Sequence, residues 1–358
     1  MKQLDQDKKE LLFAGTVLPA HPLCLNQQRQ LDEQNQRLLT QYYIQSGAGG
    51  IAVGVHSTQF EIRLPEYNLL EDVFRITAEV IDEYNISRPF IKIAGIVGHT
   101  EQAVAEAKLA VKYHYDMGLL SMGGLQDLTE EEILNRTEAI AQIIPVFGFY
   151  LQPSVGGRIF SYDFWRKFVN IENVIAIKCA SFNRYQTLDV VRAIANSHRR
   201  EEIALYTGND DNIVADLLSI YKFNVNGQQQ SVQFKGGLLG HWAVWTSKAV
   251  ELLERVKDFK NNPTADKWQH LQVLNNQTTD ANAALFDVAN DFHGCIPGIH
   301  EVLRRQGLMK GIWCLNPDEI LSSGQSEELT RIQLDYPSLN DDLFVAEFLK
   351  EHQVKDTV

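Results

Sequence analysis

The sequence predicts an α/β chain of the (β/α)8 TIM barrel class with a C-terminal helical extension. Three observations predict it. Eight short apolar runs recur along the chain, segments with helical spacing lie between them, and residues 261–358 continue the helical spacing without further runs of that kind.

The runs are LLFAGTVLPA (11–20), GIAVGV (50–55), FIKIAGIVG (90–98), GLLSM (118–122), IPVFGFY (144–150), VIAIK (174–178), IALYT (203–207) and FKGGLLG (234–240). A strand buried on both faces needs such continuous apolar character. Between them, residues 66–84 place Leu69, Leu70, Val73, Phe74, Thr77, Val80 and Ile81 on one helical face. Residues 129–144 open with Thr129 and Glu132, the spacing of a capping box. Asn209, Asp210 and Asp211 are expected to cap the helix after the seventh run. GAGG (47–50) precedes a strand, so it reads as a helix end and turn rather than a phosphate-binding loop.

Eight strand–helix units suit a closed parallel barrel, the alternative being a doubly wound open sheet, which usually has fewer units. NNP (261–263) is the natural seam. It divides a barrel over residues 1–260, which would carry the active site, from a helical extension over 261–358 packed on it.

Composition narrows the function classes. The chain has 358 residues, 44% hydrophobic and 22% charged, with a formal net charge of −13. A strongly acidic chain disfavours nucleic acid or an anionic membrane as partner, since both select a basic face. The four cysteines, Cys24, Cys179, Cys295 and Cys314, form no CxxC pair. The amino terminus shows no signal-peptide pattern, and no apolar run approaches the roughly 20 residues of a membrane span. The expectation is a cytoplasmic enzyme with reduced thiols, no cofactor and no structural metal.

In a barrel of this class, chemistry sits at the carboxyl ends of the strands. His21, His56, Ser57, Thr58, His99, Tyr150, Lys178, Gly208 and His241 all fall there. The run VIAIKCAS (174–181) delivers a lysine at the end of a core strand. Burial lowers an amine's pKa, and a neutral amine can attack a ketone to form a Schiff base. The bland alternative is a lysine that snorkels to water. Tyr150 ends the fifth run as Lys178 ends the sixth. On adjacent parallel strands its phenol could carry a proton to and from the carbinolamine, or it could simply pack on its ring.

FYLQP, with IKCAS placing Lys178 28 positions after Tyr150, resembles the YNxP and IKxAS signatures of the dihydrodipicolinate synthase / N-acetylneuraminate lyase family. These are pyruvate-handling class I aldolases on a (β/α)8 barrel. The resemblance implies Lys178 as the imine-forming residue and Tyr150 as the proton shuttle. AGGIAVGVHSTQF is similar to the family strand ending in G-[ST]-T-G-E, which puts Ser57 and Thr58 on the hydroxyl pair that binds the keto-acid carboxylate. LYTGNDD resembles LSGDD and places Gly208 near substrate, and GGLLG resembles the eighth-strand GVIS segment. The resemblance also implies a homo-oligomer, a dimer or a dimer-based tetramer.

The departures concern the second substrate. His56 replaces a glycine, Gln59 and Phe60 replace Gly-Glu, SMGGLQ lacks a tyrosine pair, and Val155 stands where the synthases have an arginine. Arg158 lies three positions further on. His56, His241 and Trp242 are therefore expected to shape a rebuilt end, with His56, His241 and Arg158 the candidate substrate-binding residues there. The leading expectation is a Schiff-base lyase, aldolase or dehydratase, acting on pyruvate or another 2-oxo acid. Two others stay open: a metal-dependent lyase or hydrolase using His21, His56, His99 and His241, and a non-catalytic barrel that binds 2-oxo acids.

Overall fold

The structure is a computed structural model and describes residues 2–355. The chain opens with α1 (Gln6–Ala14) and then alternates strand with helix. β1 (Val17–Pro19), α2 (Glu33–Gln45), β2 (Gly50–Val53), α3 (Leu70–Tyr84), β3 (Ile91–Ile96) and α4 (Thr100–Lys112) come first. β4 (Met117–Leu120), α5 (Glu130–Ala141), β5 (Val146–Leu151), α6 (Tyr162–Phe168), β6 (Val174–Ala180), α7 (Arg184–Asn196), β7 (Ala204–Thr207) and α8 (Ile213–Leu218) follow. A hairpin of β8 (Tyr221–Val225) and β9 (Gln228–Val232) precedes β10 (Phe234–Leu239) and α9 (Thr246–Asn261). α10 (Ala265–Leu285), α11 (Cys295–Arg305), α12 (Gln325–Asp335) and α13 (Asp342–Lys355) form the C-terminal helical extension.

The eight barrel strands are ordered β1-β10-β7-β6-β5-β4-β3-β2, and a parallel bridge between Ala20 and Ala52 joins the chain just after β1 to β2. The fold is the (β/α)8 barrel. Every residue of β1 to β7 is buried, as a parallel sheet covered on both faces requires.

The chain divides into two compact units, one holding residues up to Thr16 together with Ile91–Leu238, the other Val17–Phe90 and everything from Leu239 onward. In the first unit, β3 to β7 pair in parallel in chain order. The β8–β9 hairpin turns on Asn226 and Gly227 (φ 51° and 82°), the positive angles of a type I′ turn, and packs against α7. In the second unit, Asp32 caps α2 by accepting from Asn35 N–H. Thr264 caps α10 just past the NNP seam.

Three local expectations are corrected. The first apolar run is not one strand: Leu11–Ala14 completes α1, and the strand is confined to Val17–Pro19. Gly15 makes the break, with φ +86° and no room for a side chain, since a Cβ there would lie 1.9 Å from the Lys235 carbonyl oxygen. Residues 66–69 precede α3 rather than belonging to it. None of Asn209, Asp210 and Asp211 is the N-cap of α8; that position is Asn212, and Asn209 instead donates to Asp216 at 2.8 Å. The capping box at Thr129 forms as expected, with Thr129 N–H donating to Glu132 Oε2 at 2.7 Å and Glu132 N–H to Thr129 Oγ1 at 3.2 Å.

Candidate active site

In the first unit, β5 and β6 lie side by side with Phe149 paired to Lys178 and Tyr150 to Cys179. Successive side chains alternate between the faces of a strand. Phe149 and Lys178 share one face, where the Lys178 Nζ lies 4.2 Å from the Phe149 ring centre. Phe147 and Tyr206 meet edge to face, their centres 5.4 Å apart, and Tyr206 is the register partner of Lys178 on β7. Lys178 is 8% exposed. Burial in these apolar surroundings lowers its pKa from 10.5 to about 8, against the opposing pull of the Asp210 carboxylate. The nitrogen has no hydrogen-bond partner among the described residues.

Gly208 ends the seventh strand's turn, its N–H donating to the Cys179 carbonyl at 2.7 Å. A Cβ there would lie 2.5 Å from Lys178 Cε and 2.9 Å from Ala180 Cβ. The missing side chain leaves the space that the lysine stem occupies. Beside it, the fully buried Asp216 accepts from Thr207 Oγ1 at 2.7 Å and from Asn209 Nδ2 at 2.8 Å, and pairs with Arg184. This knot fixes the turn after β7 that carries Gly208 and Asp210.

Tyr150 takes the other face of the sheet. Its ring packs on Trp165 of α6 with centres 4.9 Å apart, and its hydroxyl accepts from Phe160 N–H at 3.5 Å. Burial pushes its pKa up to about 12, so the phenol is neutral at pH 7. The expected phenol–amine hydrogen bond is therefore not made in this structure, although the two strand ends are neighbours. Arg158 donates to the Leu125 and Leu128 carbonyls at 3.0 and 2.8 Å and lies over the Phe160 ring. It braces the loop after β4.

In the second unit, His56, Ser57 and Thr58 form a single 3₁₀ turn after β2. Thr58 Oγ1 donates to the His21 carbonyl at 2.7 Å and accepts from Gly54 and Val55 N–H at 3.0 and 3.2 Å. One proton and two lone pairs are thereby all engaged. Ser57 donates to the Ala20 carbonyl at 2.9 Å. His56 is half-buried, with its ring centre 5.9 Å from that of Phe60. Gln59, at φ 65°, accepts from Leu315 N–H at 2.6 Å, and Arg29 bonds the neighbouring Cys314 carbonyl. Sequence reasoning missed this clasp, because a side chain meeting a distant backbone amide leaves no periodic trace.

The histidines take separate roles. His21 is fully buried, sits against Pro22 O at 2.7 Å and Thr40 Oγ1 at 2.9 Å, and is held neutral by burial with a pKa of about 4. His99 pairs with Asp127 at the surface at 2.8 Å. His241 lines a pocket against α9 and α10 and is also lowered to about 4 by burial. Among the described residues, no three His, Cys, Asp or Glu side chains gather as a metal site, and no helix is long and apolar enough to cross a membrane.

Comparison with known proteins agrees with the fold. Over 312 residues the chain is 23% identical to N-acetylneuraminate lyase 2 of Escherichia coli O6:H1, covering 85% of this chain and 88% of the relative. Its fold matches dihydrodipicolinate synthase from Cyanidioschyzon merolae, solved with lysine bound, with a TM-score of 0.70 at 20% identity, covering 90% and 98% of the two chains. N-acetylneuraminate lyase from Fusobacterium nucleatum matches with a TM-score of 0.69 at 18% identity, covering 90% and 99%. The model of the dihydrodipicolinate synthetase family matches residues 14–228, well over half of the sequence, and spans both Tyr150 and Lys178. The chain belongs to the dihydrodipicolinate synthetase family.

Proposed function

We propose that the protein is a Schiff-base lyase, an aldolase or dehydratase, that joins Lys178 to pyruvate or a longer 2-oxo acid. The observation that carries the reading is the buried Lys178 amine, with a pKa of about 8, at the end of β6. Members of this family are aldolase-type lyases that act on pyruvate. The neutral amine attacks the ketone carbon, forming a C–N bond and a carbinolamine. The hydroxyl leaves as water once protonated, and the iminium then accepts the electron pair released when the adjacent carbon loses a proton or a C–C bond. Hydrolysis returns the amine.

The resemblance gives Tyr150 the role of proton carrier, which would require its ring to turn from Trp165 to the sheet face that Lys178 occupies. Its bond to Phe160 is at the long limit for a hydrogen bond, so the hydroxyl is lightly held. Ser57 takes the substrate carboxylate by turning its O–H away from Ala20, and Thr58, whose hydroxyl is fully engaged, holds the turn that presents Ser57. Gly208 keeps the lysine stem in place, and His56 meets the second substrate. Arg158 and His241 have other engagements here and are not needed.

The test is incubation with pyruvate and borohydride, followed by peptide mapping. A reduced pyruvate adduct on Lys178, absent from Lys178→Ala, is expected. Failure of pyruvate and of a panel of longer 2-oxo acids to label Lys178 overturns the proposal.

A further inference from the structure

The turn that follows β7 brings a carboxylate to the lysine. Gly208 lies so close to Lys178 that a Cβ on it would meet Cε at 2.5 Å and Cγ at 3.0 Å. Asp210 follows two peptide units later, each spanning about 3.8 Å, so its backbone stays near the amine. The turn is held from both sides. Asn209 donates to the buried Asp216 at 2.8 Å and accepts from Phe182 N–H at 3.0 Å, and its own N–H donates to Thr207 Oγ1 at 3.2 Å. Asp210 is half-buried, and its charge draws the Lys178 amine toward the protonated form against the effect of burial.

The other charges of these loops are committed elsewhere. The basic residues of the loops after β3 to β7 are His99 and Arg158. His99 pairs with Asp127 at the surface, and Arg158 donates to the Leu125 and Leu128 carbonyls. Arg184, which opens α7, is bonded to Asp216, and Asp211 adds a further acid to the same turn as Asp210. Imine formation with a 2-oxo acid brings together a positive nitrogen, the substrate carboxylate and Asp210, which leaves a single uncompensated anion. A second carboxylate on the substrate would add another in a partly dry site, where like charges repel strongly.

We propose that Asp210 determines specificity at this site: it admits 2-oxo acids whose far end is uncharged and turns away those that carry a second carboxylate. The inference rests on the Schiff-base reading and names the substrate class within it.

The test compares two acids of equal chain length, 2-oxovalerate and 2-oxoglutarate, which differ in a terminal methyl against a terminal carboxylate. Each is trapped on Lys178 with borohydride at the same concentration, and the ratio of their labelling rates is read within one protein. Taking the ratio cancels any change in the protonation of the amine itself. In the unaltered chain 2-oxoglutarate should label about tenfold more slowly than 2-oxovalerate, or slower still. Asp210→Asn removes the charge and keeps the shape, and should bring the two rates to within about threefold. Asp211→Asn, on the same turn, should leave the ratio where it was. Labelling by no 2-oxo acid, pyruvate included, overturns the Schiff-base reading and this inference with it. Four results overturn the inference and leave the chemistry at Lys178 standing: labelling by pyruvate but by neither longer acid, equal labelling by both in the unaltered chain, a ratio unmoved in Asp210→Asn, or one moved as far in Asp211→Asn.

Discussion

The Lys178 amine lies 4.2 Å from the centre of the Phe149 ring, and the two residues are register partners on β5 and β6. The face of the ring favours the ammonium, whereas burial favours the neutral amine. Burial wins, since the pKa falls to about 8. Imine trapping should therefore rise with pH through about 8, the neutral fraction at pH 7 being about a tenth. Phe149→Leu removes the attraction to the ammonium and should lower that midpoint by about half a pH unit. A midpoint that rises, or that sits near 10.5 in the unaltered chain, would contradict the assignment.

The same shift makes a claim about stability. The folded amine has a pKa of about 8 against an ordinary 10.5. Between those values the unfolded chain binds more protons, so stability should rise with pH across that window and be level on either side. Lys178→Met should stabilise the protein at pH 7 by about 2–3 kcal/mol, the gain fading above pH 8. Urea melts at pH 7 and pH 10.5 measure both; an equal gain at the two pH values would count against a depressed pKa.

Gly208→Ala sets a Cβ 2.5 Å from Lys178 Cε. The lysine stem can bend, but Ala180 Cβ at 2.9 Å cannot. Trapping should slow by roughly 10- to 100-fold as the amine is displaced. The fold should lose about 1–3 kcal/mol. Single-turnover labelling at unchanged rate would show that the gap has no bearing on the amine.

Tyr150→Phe keeps the ring on Trp165 and deletes only a hydroxyl whose bond is 3.5 Å long. Stability should change by less than about 1 kcal/mol. Turnover should fall about 100-fold, if the phenol carries the proton. Undiminished turnover would leave Tyr150 as a packing residue.

Asp216→Ala removes the carboxylate that holds Thr207, Asn209 and Arg184. Leaving the guanidinium and two dipoles without it should cost about 3–5 kcal/mol, read as a lower urea midpoint. A loss below about 1 kcal/mol would mean that water replaces the carboxylate.

The barrel was legible because the buried strands read as largely apolar runs, and Lys178 stood out as the lysine near the end of one of them. The C-terminal helices followed from their spacing. The β8–β9 hairpin was legible in principle through Asn226-Gly227, but Tyr221–Val225 alternates apolar with polar residues and Gln228–Val232 is mostly polar, so it lacks the continuous apolar run by which the other strands announce themselves. The facing of Tyr150 was harder. Strand ends can be read as neighbours, but which face a side chain takes depends on register, and a one-residue step exchanges Phe149 for Tyr150 beside the lysine. Thr58 and Arg158 were expected at the substrate, and in the structure both bond backbone groups. Their partners are backbone carbonyls, which every sequence offers everywhere.

Gln59 is gripped by a peptide group 256 positions downstream, and Tyr67 O–H reaches the carbonyl of the same residue at 3.2 Å. The turn bearing Ser57 and Thr58 is thus shaped in part from the far end of the polypeptide. Remodelling of the stretch after α11, by insertion or deletion, would register as altered 2-oxo-acid affinity while every strand-end side chain stayed the same. On the proposed reading, the segment after α11 tunes the second strand's turn.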